Sequence, residues 1–298
     1  MRWIALVFLS FVLTSCGNKP AQKDSSESGI TFVYISKCIF TMGDSESKYP
    51  DEKPSRSIEL SPYKISDAEI SNTAYVGFLN DAYKKAEIKI TKSRGSPLLT
   101  VYSAISPFEN KPLLYWVNSK GAENKPSWIT FENNSFGVVG GKENLPVVAV
   151  TWYGAMSFAA HYGMRLPTEA EWECAARGGR NLAFPVQDIF NKDFNYYNKF
   201  GSPVKIRSST PNPFKIYDMA GNVREWCLDE YDVVFYISSP RFNPVKLPTV
   251  TSTRDRVVRG GAFDSPLTNC RNAARFHLPP DFFDQKTGFR VVLEKSGT

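Results

Sequence analysis

Residues Arg165–Gly179, RLPTEAEWECAARGG, carry a helix with both of its ends written in. Thr168 can accept from the first-turn amides while Glu171, three residues on, reaches back to the cap, the reciprocal arrangement of a capping box. Gly178 and Gly179 follow where a left-handed residue would end the helix. The spacing predicts a helix from Glu169 to Arg177. Just upstream, Leu145–Val150 is an apolar run that predicts a short strand. Thr151 then caps a second helix over Trp152–Tyr162.

Working outward, EISNTAYVGFLNDAYKKA places Tyr75, Phe78, Leu79 and Tyr83 at helical spacing behind the cap candidates Ser71 and Asn72. Phe32–Asp44 and Asp51–Ile65 alternate apolar and polar residues and read as strands. From Glu87 to Gly141 the pattern dissolves into turns and scattered aromatics, which predicts loops with two short strands at most. The stretch Arg259–Arg290 opens on Gly260-Gly261, passes Cys270 and closes on Gly-Phe-Arg before a strand-like VVL. It reads as a long loop pinned at its ends, a place where binding and chemistry concentrate.

Among the 298 residues, 20 prolines and 19 glycines point to many turns and few long helices. No internal repeat is present. The formal charge of +6 is spread among interspersed acids and bases. That argues against a nucleic-acid partner and for a mixed, solvated surface. No P-loop, GxSxG, HExxH or dinucleotide fingerprint occurs. Of the two histidines, His161 falls within a predicted helix and reads as structural, while His277 falls in the C-terminal loop.

The N-terminus has its own logic. An apolar run from Ile4 to Leu13 follows Arg2 and is short for a bilayer span, as in a secretory signal. It ends in Leu13-Thr14-Ser15-Cys16, which resembles a bacterial lipobox. Residues 1–15 are therefore expected to be a lipoprotein signal peptide. Residues 16–30 would be a lipidated Cys16 with a disordered tether, and residues 31–298 the domain. Gly17 after the cysteine favours the outer membrane within the bacterial cell envelope, with lipid as the membrane contact. Export would permit disulfides, and Cys38, Cys174, Cys227 and Cys270 allow three pairings. Their wide spacing matches no zinc pattern, and buried free thiols are the plain alternative.

In YDMAGNVREW (Tyr217–Trp226), Asp218 and Glu225 flank a glycine-bearing turn. There two carboxylates and exposed carbonyls can surround a hard cation, and calcium prefers such an all-oxygen mixture.

Together these segments resemble the sulfatase-modifying-factor family, the formylglycine-generating enzymes and their relatives. FVYISKCIFTMGD, EISNTAYVGF, Leu145–Gly179, IYDMAGNVREW, RVVRGGAF and TGFRVV run in family order from Phe32 to Val292. The resemblance implies an α+β, C-type-lectin-like single domain, loop-rich, with few helices and short irregular strands held by calcium. It implies calcium ligands at Asp218, the carbonyls of Gly221 and Val223, and Glu225. A second, weaker site would use Asn195 and Tyr196, but no acid lies between Asn198 and Asp218 to complete it.

The family's oxidases hold copper(I) between two cysteines five residues apart. Here the second is Cys270 and the first position is Ser265. A serine hydroxyl is hard and protonated, so it does not replace a thiolate toward soft Cu(I). Copper is therefore not expected, and the site reads as degenerate. The remaining side chains of the loop suit recognition. Asp264, Asn269, Arg271, Arg275, His277, Phe282 and Asp284 form the expected binding surface for a protein or glycan of the envelope. The second reading is an active formylglycine-generating or related oxidoreductase acting on a thiol.

Overall fold

The computed structural model of the protein describes residues 29–92, 98–118, 127–190, 194–196, 198–249 and 251–293. The expected signal peptide, Cys16 and most of the expected tether lie outside the described residues.

The chain begins with four strands: β1 (Phe32–Ile35), β2 (Cys38–Met42), β3 (Arg56–Leu60) and β4 (Tyr63–Ser66). β2 and β3 pair as an antiparallel hairpin, and β1 pairs with β4. Helix α1 (Asn72–Lys84) starts where the Ser71 side chain accepts from the Ala74 amide. It buries Tyr75, Phe78, Leu79 and Ala82 on one face, the stripe its spacing predicts.

The largest departure from expectation follows α1. Residues read as loops build a five-stranded sheet of β5 (Ile88–Lys92), β6 (Leu98–Ser103), β7 (Pro112–Asn118), β8 (Ile129–Glu132) and β9 (Ser135–Val138). Its central pair shifts register twice between Leu99 and Tyr102, and Trp116 sits at φ 60°. These bulges break the two-residue alternation that would have betrayed the strands. The segment Leu145–Val150 departs in the opposite sense. It is buried but is no strand, because Ala149 at φ 60° interrupts the ladder. Its amides and carbonyls are satisfied singly: Val147 N donates to Ile70, Ala149 N to Asp284, and Tyr115 N to Ala149.

Helices α2 (Trp152–His161) and α3 (Glu169–Arg177), joined through β10 (Met164–Arg165), match the sequence reading. Thr151 caps α2, both halves of the Thr168/Glu171 capping box form, and Gly178 ends α3 at φ 57°. Beyond them lie β11 (Arg224–Glu230), a single turn α4 (Phe235–Ser238) and β12 (Arg256–Arg259). The Arg259–Arg290 stretch is not one loop. It contains a 3-10 turn at Leu267–Cys270, then β13 (Phe276–Leu278) and β14 (Thr287–Phe289), with β15 (Val292–Leu293) after it. Strands β13-β12-β11-β14 form one sheet, with β14 parallel to β11. The sheet β1-β4-β15-β10 joins both ends of the domain.

One apolar cluster gathers α1, α2 and the five-stranded sheet around Tyr75, Phe158 and Phe289. A second places α3 against the β2–β3 hairpin through Trp172, Cys174, Ile58 and Leu60. The result is the expected α+β, loop-rich domain with few helices.

Gly154 marks the tightest approach in this packing. A Cβ there would fall on the Leu113 carbonyl oxygen and within 2.8 Å of the Leu113 carbonyl carbon and the Tyr75 hydroxyl. Gly154→Ala is expected to destabilise the fold by about 3 kcal/mol. Gly77 lies on α1, where a Cβ would meet only the Tyr162 hydroxyl at 3.4 Å. Gly77→Ala should instead stabilise by about 0.5–1 kcal/mol through helix propensity. Urea denaturation of the two variants checks the opposite signs.

Candidate functional site

The Tyr217–Trp226 turn is held between α3, the end of β4 and the start of β14. Asp218 itself takes φ 57° and Gly221 φ 79°. Glycine is required at Gly221 because a Cβ would strike the Asn195 carbonyl oxygen. That carbonyl accepts from the Asn222 amide, and Gly221 N donates to the Gly260 carbonyl. The turn is thus clamped to both the Asn195 segment and the Gly260-Gly261 entry of the C-terminal stretch.

Asp218 and Glu225 are both buried. Asp218 accepts from the Arg207 amide at 2.6 Å and from the Ser209 hydroxyl at 2.6 Å. Glu225 accepts from Arg290 Nε at 2.6 Å, Arg290 Nη2 at 2.7 Å and Trp172 Nε1 at 2.7 Å. A third carboxylate, which the sequence reading missed, joins them. Glu69 is buried and accepts from Asn222 Nδ2 at 3.0 Å and from the Val223 amide at 3.4 Å. Burial pushes its carboxyl well above the usual range, and the charges of Asp218 and Glu225 push it further, against Arg290. Burial likewise raises Asp218. The Arg207 guanidinium is taken up by Asp67 at 2.6 and 2.9 Å. Arg290 is the buried guanidinium common to the three carboxylates, with the partly exposed Arg207 also acting on Asp218. The sequence around Glu69, an acid between Ala68 and Ile70 just ahead of a helix cap, hints at burial but not at its partners.

This donor set fits a hard cation in kind, being all oxygen with uncompensated negative charge. Among the described residues, no three His, Cys, Asp or Glu side chains close around one point. Carbonyls would have to supply part of any shell, the role expected of Gly221 and Val223. Asn195 is buried beside the same turn with its Oδ1 lacking a hydrogen-bond partner, while its Nδ2 donates to the Ser202 carbonyl at 3.0 Å. Tyr196 is half-buried next to it.

The copper position is built differently. Ser265 Oγ accepts from the Ala262 amide at 2.9 Å, closing the turn after Gly260-Gly261. Cys270 is 1% exposed, and burial pushes its thiol up to about 12. A Cβ on Gly261 would meet its sulfur at 2.7 Å. Among the described residues no second thiol acts on Cys270, and the residues present do not fit a two-thiolate copper(I) site.

The seven residues expected to form one binding surface fall into separate places. Arg275 is buried, with its guanidinium on Glu169 at 2.7 and 2.8 Å and between the Tyr231 and Tyr236 rings. It belongs to the interior, because a bidentate pair of this kind is dry and saturated. Arg271 makes two 2.7 Å bonds to Glu52. Asn269 is half-buried, its carbonyl against Gly261. His277 is exposed on β13, paired with Asp255 and stacked on Tyr231 at 4.1 Å. Asp264 pairs with Lys286, and Asp284 with Arg224. Phe282 lies under the Arg224 guanidinium, while its neighbour Phe283 stacks on Tyr115 at 3.7 Å. His161 is buried against Phe78 and Tyr162, 3.5 Å from Asp81, in a structural position.

Known proteins share this architecture and its motifs. A family model described as the Sulfatase-modifying factor enzyme 1-like domain matches residues 18–295. The formylglycine-generating enzyme of Streptomyces coelicolor is 31% identical over 282 residues, covering 85% of this chain and 86% of that protein. The inactive C-alpha-formylglycine-generating enzyme 2 of Bos taurus is 28% identical over 225 residues, covering 68% of this chain and 71% of that one. Among solved structures, PvdO from Pseudomonas aeruginosa superposes with a TM-score of 0.64 at 22% identity. That match covers 88% of this chain and 94% of that one. With its capping-box helix, its glycine-bearing turn and its Gly-Gly entry all in place, the chain belongs to the sulfatase-modifying-factor family, with the fold of the formylglycine-generating enzymes.

Proposed function

We propose that this protein is an exported, lipid-anchored member of the family that lacks copper oxidase chemistry and serves as a binding or structural component of the bacterial envelope, with the outer membrane favoured over the inner. One observation carries the loss of oxidase chemistry: Ser265 stands where a second thiolate is needed and uses its hydroxyl to close a turn. The buried Cys270, with its raised thiol, supports the same reading. A thiol of that kind is a poor nucleophile and a poor metal ligand at neutral pH. Anchoring rests on the Leu13–Cys16 motif and on Gly17 behind it.

A binding role with a protein or glycan would use the exposed parts of the C-terminal stretch. His277 is the exposed candidate from the expected set; Phe282 is half-buried against the core, and Arg275 is excluded by its burial. In this reading calcium is structural, held by Asp218, Glu225 and the Gly221 and Val223 carbonyls, with Glu69 a nearby acid whose charge the ion would offset. It would neutralise the three acids and fix the turn. The second reading, an active oxidoreductase, draws on the 31% identity to a formylglycine-generating enzyme.

Turnover separates the two. With copper and air, the protein is expected to leave a cysteine-bearing sulfatase peptide unchanged by mass spectrometry. Formylglycine formation that disappears in Cys270→Ser would establish the second reading instead. Cys16→Ala should abolish incorporation of a radiolabelled lipid precursor, and persistent labelling would remove the anchor.

For calcium, the melting temperature of the wild type should fall on adding chelator, and Asp218→Ala should lose that response. Glu69→Gln should melt higher than wild type in chelator, because it removes a buried carboxyl whose ionisation Asp218 and Glu225 oppose, and should gain less from calcium. An unaltered calcium response in both variants would move the ion elsewhere.

A further inference from the structure

Two of the thiols, Cys38 and Cys174, meet. Cys38 opens β2, half-buried, opposite Leu60 in the hairpin. Cys174 lies on α3, which packs against β2, and both side chains belong to the second apolar cluster. Each thiol is the group that acts most strongly on the other. Tyr63 lies beside Cys174, and its hydroxyl donates to the Glu171 carbonyl, one turn earlier on the helix, at 2.8 Å. Among the described residues, Cys227 and Cys270 have no such partner. The groups acting on Cys227 are the acids Glu169, Asp229 and Glu225 with Arg259, and Cys270 packs in a separate cluster with Ile189, Phe194 and Ala220.

We infer that Cys38 and Cys174 are the redox-active pair of this protein and form one disulfide that ties the N-terminal hairpin to α3. Accessibility sets the order of events. Cys38 is the partly exposed member. The neighbouring Cys174 thiol lowers that of Cys38 from the ordinary value, whereas Cys38 and burial raise Cys174. Cys38, as thiolate, attacks a disulfide donor of the low-molecular-weight or oxidoreductase class. One sulfur of the donor leaves as thiolate, and a mixed disulfide remains on Cys38. Cys174 gives up its proton to that leaving thiolate and attacks the Cys38 sulfur, expelling the second donor sulfur. Two thiols lose two electrons and two protons, and the donor gains them as two thiols. Cys227 and Cys270 stay reduced because they are buried away from any partner.

The location of the donor rests on the exported reading; the pairing does not. The purified full chain is incubated with oxidised glutathione, its remaining thiols are alkylated, and its peptides are mapped without reduction. The expected product joins the Cys38 and Cys174 peptides and is absent from Cys38→Ser. Wild type should also melt about 5–10 °C lower in reductant, while the Cys38→Ser, Cys174→Ser double variant shows no reductant effect. A stable glutathione adduct on Cys38 with Cys174 still free, or a link to Cys227 or Cys270, would overturn the pairing. If glutathione links the pair but the chain trapped from cells carries it reduced, the pairing stands and the exported reading fails.

Discussion

Glu225 is the residue on which the rest leans. Its carboxylate binds Arg290 through two nitrogens and the indole of Trp172 through a third. One side chain of β11 thereby fastens α3 and the residues between β14 and β15. All three groups are buried. A charge pair so placed gives little net stability over apolar packing, but removing one partner strands a charge at a cost of about 3–5 kcal/mol. The arrangement therefore selects this packing against looser ones.

The same device is repeated along α3. Glu169 takes Arg275, and Glu173 takes Arg177 and Arg259. An apolar core would leave these irregular connections without partners for their peptide groups. The guanidinium groups supply them: Arg259 also donates to the carbonyls of Asn272 and Ala273, and Arg290 to those of Ser66 and Tyr217. A loop-rich fold of this kind is held by buried charge where a sheet protein would use ladders.

That design governs what could be read from the chain. The helices were legible because their signals are local: Thr151, the Thr168/Glu171 box and Gly178 act within a turn of themselves. The five-stranded sheet was not, because bulges near Leu99–Tyr102 and the left-handed Trp116 erase the alternation. At the candidate site, Asp218 and Glu225 were found from their own motif. Glu69 was missed because it comes from a point more than a hundred residues away, and nothing local marks it as their neighbour. The C-terminal stretch misled for a related reason. Arg275 and His277 are two residues apart, yet one is buried on Glu169 and the other exposed beside Asp255. Polarity alone does not say which arginine faces water.

Strand β15 sits between β4 and β10 in its sheet, paired with both. The final described residues are therefore an interior strand joining pieces made early and midway in synthesis. A ribosome that has released everything up to Arg290 has produced a chain whose first sheet is still split. Completion of that sheet waits for β15, and long-range pairings of this kind close slowly. Closure of the first sheet is thus deferred until β15 has been made.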